Sequence, residues 1–279
     1  PTFEHFGLRV IAERPYRLSW PDGTGAWVQD FELEHHARAP VALARIGAEL
    51  LGAYRAVRAG ELDDDGFNRL LLTARLGWRE IAMLRGYCKY LLQTGAPFSQ
   101  AYMETTLNRY PLIARLLVEL FESRFDPAHS AGKDGTGSID EAAREKLRLE
   151  LEAITPEATR KSAGTLIEEV AYARGLDRDA QIDACMDALA ILLESVARLD
   201  EDRILRSYIG TINATLRTSY YQLHDGRPRE YISFKFDSAK VPDLPKPRPY
   251  REIFVYAPRI EGVHLRFGPV ARGGLRWSD

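Results

Sequence analysis

Apolar residues change their spacing twice along this chain, and that limits the fold to a helical middle between strands. In Trp27-Val28-Gln29-Asp30-Phe31-Glu32-Leu33, positions 28 and 30 alternate with 27, 29, 31 and 33, the pattern of a one-sided strand. From about residue 40 the period lengthens. Leu43, Ile46, Leu50, Tyr54 and Val57 recur every three or four residues, which places them on one helical face. After Gln222 alternation returns: Ile232, Phe234 and Phe236 face one way, Ser233 and Lys235 the other. The fold class expected is therefore α+β and predominantly helical, with antiparallel strands at the N-terminus, a central helical bundle, and β-strands with a hairpin at the C-terminus.

The N-terminal strands are expected at 8–12, 16–18 and 27–33, around the turn signal Pro21-Asp22-Gly23-Thr24-Gly25. So small a sheet needs another layer over its apolar face. Pro40 suits the first turn of a helix that Gly60 stops. A second helix is expected from Asp65 to Leu76. A third runs from Trp78 to Thr94, with Ile81, Leu84, Tyr87, Cys88 and Leu91 inward. A fourth starts at the N-cap Ser99 and reaches Arg109, and Pro111 opens a fifth with Leu112, Leu116 and Leu120 inward. Short connections favour antiparallel neighbours in a bundle. Residues 126–138 are turn-rich and expected to form a flexible linker. Ser138-Ile139-Asp140-Glu141 has the form of a capping box opening a charged helix to Ile154. Further helices are expected from Thr155-Pro156-Glu157, over 180–198, and from Leu199, where Asp200, Glu201 and Asp202 suit the helix dipole. On that last helix Leu205, Ile209, Ile212 and Leu216 form a stripe. The proline run 242–249 is expected to be an extended spacer lying on its own domain. Strands 253–256 and 263–267 then flank a turn at 258–262.

Lys and Arg total 38 against 40 Asp and Glu, a net charge of −2, which excludes a strongly basic nucleic-acid binder. No apolar run reaches membrane-spanning length, and the N-terminus lacks the pattern of a secretory signal. Two cysteines, Cys88 and Cys185, are too few for a disulfide framework or a four-thiolate zinc site. They read as small buried side chains in a reducing compartment, so the expected location is cytoplasmic. Pro1 is not an initiator Met, and hydrophobicity does not tail off toward Asp279; both ends read as cuts through a longer protein.

Several short motifs have a plain structural explanation. His35 and His36 are adjacent on a strand end and point to opposite faces, so they read as solvated rather than as a metal pair. Gly132, Gly135 and Gly137 with Lys133 fit no phosphate-loop spacing. Arg203, Arg206 and Arg217 read as helix-surface partners of acids such as Glu201 and Asp202. The most informative stretch is Arg272-Gly273-Gly274-Leu275-Arg276. Paired glycines let a backbone approach a ligand and present its N–H groups. The flanking guanidinium groups match a carboxylate two-pronged, although taken alone a Gly-Gly between arginines reads more often as a tight turn with solvated charges.

Longer stretches resemble a known family. Arg9-Val10-Ile11-Ala12-Glu13-Arg14-Pro15-Tyr16, Leu199-Asp200-Glu201-Asp202-Arg203-Ile204-Leu205-Arg206 and Ala214-Thr215-Leu216-Arg217-Thr218-Ser219-Tyr220-Tyr221-Gln222 are similar to the large-subunit class of NAD-dependent glutamate dehydrogenases. So are Ile232-Ser233-Phe234-Lys235-Phe236-Asp237-Ser238 and Pro249-Tyr250-Arg251-Glu252-Ile253-Phe254-Val255-Tyr256. The longest match is Glu261 to Asp279. The resemblance covers essentially the whole chain and is most specific after residue 198.

The resemblance implies an interior piece of a long, homo-oligomeric enzyme that converts L-glutamate to 2-oxoglutarate and ammonia with NAD. It implies three parts: the end of an ACT-like α+β domain (1–36), a helical region (37–198), and the start of the catalytic region (199–279). By that resemblance Arg272, Gly273, Gly274 and Arg276 line the substrate pocket, with arginine at 272 where the family carries lysine. The family's catalytic lysine and aspartate and its NAD-binding fold would lie beyond Asp279. This chain alone is then expected to hold no catalytic residue, no cofactor and no metal, and to be inactive. A reading from another class is a structural, oligomerisation or regulatory scaffold with no small-molecule site. A third is an amino-acid effector site in the α+β remnant.

Overall fold

The computed structural model of the chain describes residues 1–36, 43–128, 141–174 and 176–268. The expectations for Pro40, for the linker beyond residue 128, for the cap at 138–140 and for Arg272, Gly273, Gly274 and Arg276 lie outside the described residues.

The N-terminal part is a short helix α1 (Thr2–His5) followed by one antiparallel hairpin, β1 (Leu8–Ser19) and β2 (Gly25–His35). The two strands expected at 8–12 and 16–18 are a single strand. A register shift between Val10 and Ala12 absorbs the irregularity. Pro15 does not end the strand, because in a two-stranded ribbon a missing N–H can face solvent.

The helical layer contains α2 (Leu43–Ala59), α3 (Leu70–Thr73), α4 (Trp78–Gln93), α5 (Gln100–Arg109), α6 (Pro111–Phe125), α7 (Glu141–Ile154), α8 (Glu157–Ala173), α9 (Arg178–Leu193) and α10 (Leu199–Ala214). Helix α2 stops at Gly60, whose φ of +73° is the left-handed conformation the stop signal requires. Ser99 caps α5 by accepting the Tyr102 N–H at 3.2 Å, and Pro111 opens α6. One expectation is corrected here. Instead of a helix from Asp65 to Leu76, a 3-10 turn (Gly66–Arg69) leads into the single turn of α3. The Asp65 carboxylate accepts the Phe67 N–H at 3.1 Å, and Asn68 donates to the Asp63 carbonyl at 2.9 Å, which holds the chain in the tighter turn. A second correction concerns α10. Its buried stripe is Ile204, Leu205, Tyr208, Ile209 and Ile212. The helix ends at Ala214, so Leu216 and Arg217 fall on a strand, and Leu216 is exposed.

The C-terminal part is a four-stranded antiparallel sheet in the order β3-β6-β7-β8: β3 (Thr215–Thr218), β6 (Ile232–Phe236), β7 (Arg251–Ala257) and β8 (Ile260–Arg266). A small pair, β4 (Leu223–His224) with β5 (Arg227–Pro228), interrupts it. Ala257 pairs with Ile260, so only Pro258 and Arg259 form the turn, and residues 260–262 belong to β8 rather than to a longer loop. The proline run packs on its own chain as expected, but it is not extended throughout: Pro242 and Asp243 form a turn, with Asp243 at φ +51°, and Arg248 folds back to donate to the Leu244 carbonyl at 3.2 Å. Val241, Leu244 and Pro249 are buried, and Pro242 seats against Gly210 of α10, where a Cβ would collide with its ring.

The core lies where α4 crosses this sheet. Ile81, Leu84, Tyr87, Cys88 and Leu91 are buried as expected, but so are Met83, Arg85 and Tyr90 on other sides of the helix. Helix α4 is enclosed because helices pack on one side of it and the sheet on the other. Tyr87 meets Phe234 at 4.4 Å between ring centroids, and Tyr90 stacks on Phe236 at 4.1 Å. A Cβ at Gly86 would sit 3.0 Å from Phe234 Cε2 and 3.3 Å from Tyr256 Cδ1, so glycine sets how closely the helix approaches the strands. Each ring buried here contributes about 1.5–3 kcal/mol. Cys88 and Cys185 are both free and buried, and burial pushes each thiol up to about 12, which keeps them neutral and unreactive.

Candidate functional site

Strand β8 (Ile260–Arg266) is the described strand closest in sequence to the site expected at 272–276, which itself lies outside the described residues. Among the described residues β8 pairs only with β7. The register sets Glu261, Val263 and Leu265 on the same sheet face as Tyr256, Phe254 and Glu252. That face looks toward α4, which offers three polar side chains. Lys89 Nζ lies 3.1 Å from Glu261 Oε1, and Gln93 Nε2 donates to Glu261 Oε2 at 3.2 Å. The Tyr90 hydroxyl donates to Glu252 Oε2 at 2.6 Å, in the interior.

Beside this contact is a cleft of about 510 Å³, lined by Asp63, Asp64, Asp65, Lys89, Arg259 and Glu261 among others. Its acids are already engaged. Asp65 holds the fully buried Arg85 through both oxygens, at 2.7 and 2.9 Å, and Gln100 Nε2 adds a third contact at 2.9 Å. Asp63 accepts the Tyr256 hydroxyl at 2.7 Å, and Asp64 accepts Thr2 and contacts His5 at 2.8 Å. Burial opposes the charge on Arg85, but Asp65, with Tyr256 and Asp63, outweighs it and holds the guanidinium protonated. The network ties α1, the 3-10 turn, α4, α5 and β7 together.

A second polar cluster lies within the helical layer. Arg115 meets Glu119 at 2.9 Å, Glu150 at 3.0 Å and Glu80 at 3.6 Å, while Arg174 contacts Glu119 and, at 3.5 Å, Glu122. Four carboxylates share two guanidinium groups here. Burial, then Glu119 and Glu80, push the Glu122 carboxyl up to about 8. Neither cluster was foreseen from the sequence. Contacts such as Arg85–Asp65 and Arg174–Glu119 join residues 20 and 55 positions apart, and Tyr256–Asp63 joins residues 193 apart, while Arg115–Glu119, four apart on α6, reads in sequence as an ordinary helix-surface pair.

The arginines singled out earlier are spread apart. Arg206 pairs with Asp202 one helical turn away at 2.9 Å, as expected for a surface ion pair. Arg203 lies over the Phe98 ring at 5.5 Å, and Arg217 projects from β3. They form no common anion site.

Three family models match the chain: "Glutamate dehydrogenase, ACT3 domain" over residues 1–46, "Glutamate dehydrogenase, helical motif 3" over 62–127, and "Bacterial NAD-glutamate dehydrogenase, catalytic domain" over 188–279. The chain belongs to the NAD-specific glutamate dehydrogenase family. The relative of that name from Halomonas elongata is 42% identical over 280 residues, covering all of this chain and 14% of its own length. Those from Pseudomonas aeruginosa and Mycobacterium tuberculosis are 39% and 37% identical, again across the whole chain and 15% of the relative. The chain thus spans about one-seventh of the glutamate dehydrogenases it matches.

The name of these relatives implies NAD. A dinucleotide sits where parallel strands and their crossover helices meet. Among the described residues every paired strand is antiparallel, so they do not build such a site, and no step through NAD is assigned to them.

Proposed function

We propose that this chain works as one part of an NAD-dependent glutamate dehydrogenase, catalysing the reversible oxidative deamination of L-glutamate to 2-oxoglutarate and ammonia. The observation that carries this reading is the match along the entire chain, including the catalytic-domain model over 188–279. Within that enzyme, Arg272 grips a substrate carboxylate, the backbone at Gly273 and Gly274 lets the substrate approach closely, and Arg276 adds a second positive charge. Among the described residues no parallel-strand site for the nicotinamide cofactor is built, and hydride transfer needs donor and acceptor held together, so the chain alone is expected to be inactive.

The test has two parts. Purified 1–279 with L-glutamate and NAD is expected to give no rise in NADH absorbance, whereas the full-length enzyme gives one; turnover by 1–279 would refute the assignment of inactivity. In the full-length enzyme, Arg272→Ala is expected to raise the glutamate KM about ten- to a hundredfold, the effect of losing a charge-assisted pair. An unchanged KM would remove Arg272 from the site.

A further inference from the structure

We infer that the turn Asp63-Asp64-Asp65 is a mechanical junction between the three matched regions of the chain, passing displacements of α1 and its hairpin on to the C-terminal sheet. Three neighbouring carboxylates reach three different places. Asp64 accepts the Thr2 hydroxyl at 2.7 Å and meets His5 Nδ1 at 2.8 Å, in the region matched by the ACT3 model. Asp65 holds Arg85 of α4, in the helical-motif region. Asp63 accepts the Tyr256 hydroxyl of β7 at 2.7 Å, in the catalytic-domain region. Asp65 is extended, at φ −142° and ψ 179°, and side chains of an extended segment point alternately to opposite sides. The contacts follow that alternation: Asp63 and Asp65 reach toward β7 and α4, and Asp64 between them reaches toward α1. Arg85 is the fixed point of the junction. It is fully buried and cannot trade its partners for water. It grips both oxygens of Asp65, at 2.7 and 2.9 Å, and Asn68 Oδ1 at 2.8 Å. Asn68 in turn donates to the Asp63 carbonyl at 2.9 Å. Successive Cα atoms stand about 3.8 Å apart across planar peptides, so consecutive residues leave little slack in which a shift at Asp64 could be absorbed before Asp63. A second contact seats α1 on the same turn, where Arg69 Nε donates to the Glu4 carbonyl at 3.4 Å.

The test uses the full-length enzyme and follows amide hydrogen exchange, segment by segment, by mass spectrometry. Thr2→Val joined with His5→Ala removes the partners of Asp64. It is expected to speed exchange in β7 about two- to fivefold, as suits groups in one hydrogen-bond network, besides a larger effect on α1 itself. Asp64→Asn keeps the shape of the side chain, weakens both contacts, and should act in the same direction. Coupling is reciprocal, so Tyr256→Phe, which keeps the ring and removes the hydroxyl, should speed exchange in α1 and the start of β1 by a similar factor. With Tyr256→Phe already in place, the Thr2→Val and His5→Ala pair should add nothing in β7, because the link it acts through is gone. Helices α7 and α8 should keep wild-type exchange in every variant. Exchange in β7 unmoved by both the Thr2→Val and His5→Ala pair and Asp64→Asn would overturn the inference. So would additive effects of the pair and Tyr256→Phe, which would mean that the two contacts act independently. Equal acceleration in α7 and α8 would overturn it as well, since that would mean general loosening of the fold.

Discussion

The C-terminal sheet and the N-terminal hairpin are both antiparallel β-structure, but they are stabilised in opposite ways. In the sheet, Phe234, Phe236 and Phe254 are fully buried against α4. In the hairpin Leu8 is the buried strand residue, while Tyr16 and Trp27 are 51% and 66% exposed. The hairpin is fastened at its base: Phe31 meets Phe3 at 5.0 Å, Phe3 stacks on Tyr54 at 5.6 Å, and Thr2 and His5 contact Asp64. Strand pairing satisfies the backbone in both regions. A second layer, present over one and lacking over most of the other among the described residues, decides where side chains add stability.

That contrast predicts unequal responses to similar changes. Phe234→Ala removes a ring packed against Tyr87 and is expected to cost about 3–5 kcal/mol in urea unfolding. A cost below about 1 kcal/mol would mean the sheet does not depend on α4.

The helical layer should also carry a pH dependence of its own. Glu122 is raised from 4.5 to about 8 in the fold, so between those values the folded state binds more protons than the unfolded one. Its contribution is full below the unfolded value and is lost as pH rises toward 8, with a slope no steeper than about 1.4 kcal/mol per pH unit. Unfolding midpoints of wild type and Glu122→Gln across this range check it: the variant should show a flatter profile, and identical profiles would break the prediction. The smallest effect is expected at the far end of the hairpin. Trp27→Ser should change stability by no more than about 0.5 kcal/mol. A loss comparable to that of Phe234→Ala would show that the ring is covered in solution.

What was readable in the sequence followed from periodicity and local punctuation. The 232–236 alternation, the bounds of α4, the Ser99 cap and the Gly60 stop all depend on residues within one or two turns of each other. The misreadings have equally local causes. The segment from Asp65 has apolar residues where a helix would place them, but the Asp65 and Asn68 side chains bind nearby backbone and tighten it. Leu216 continues the spacing of α10 past the point where the backbone becomes extended. The buried charge clusters were invisible because Arg85, Arg115 and Glu119 look like ordinary helix-surface residues until distant elements close over them. The site expected at 272–276 lies outside the described residues, whereas the pairing of Lys89 with Glu261, 172 positions apart in sequence, became apparent only in the fold.

Gly86 has a consequence for how this protein can vary. With no side chain there, the rings of Phe234 and Tyr256 rest nearly on the helix backbone, so one missing methyl group fixes the thickness of the whole interface. Any residue introduced at that point would act as a wedge one turn from Lys89 and Tyr90, lifting the final hairpin before any of its own residues had changed.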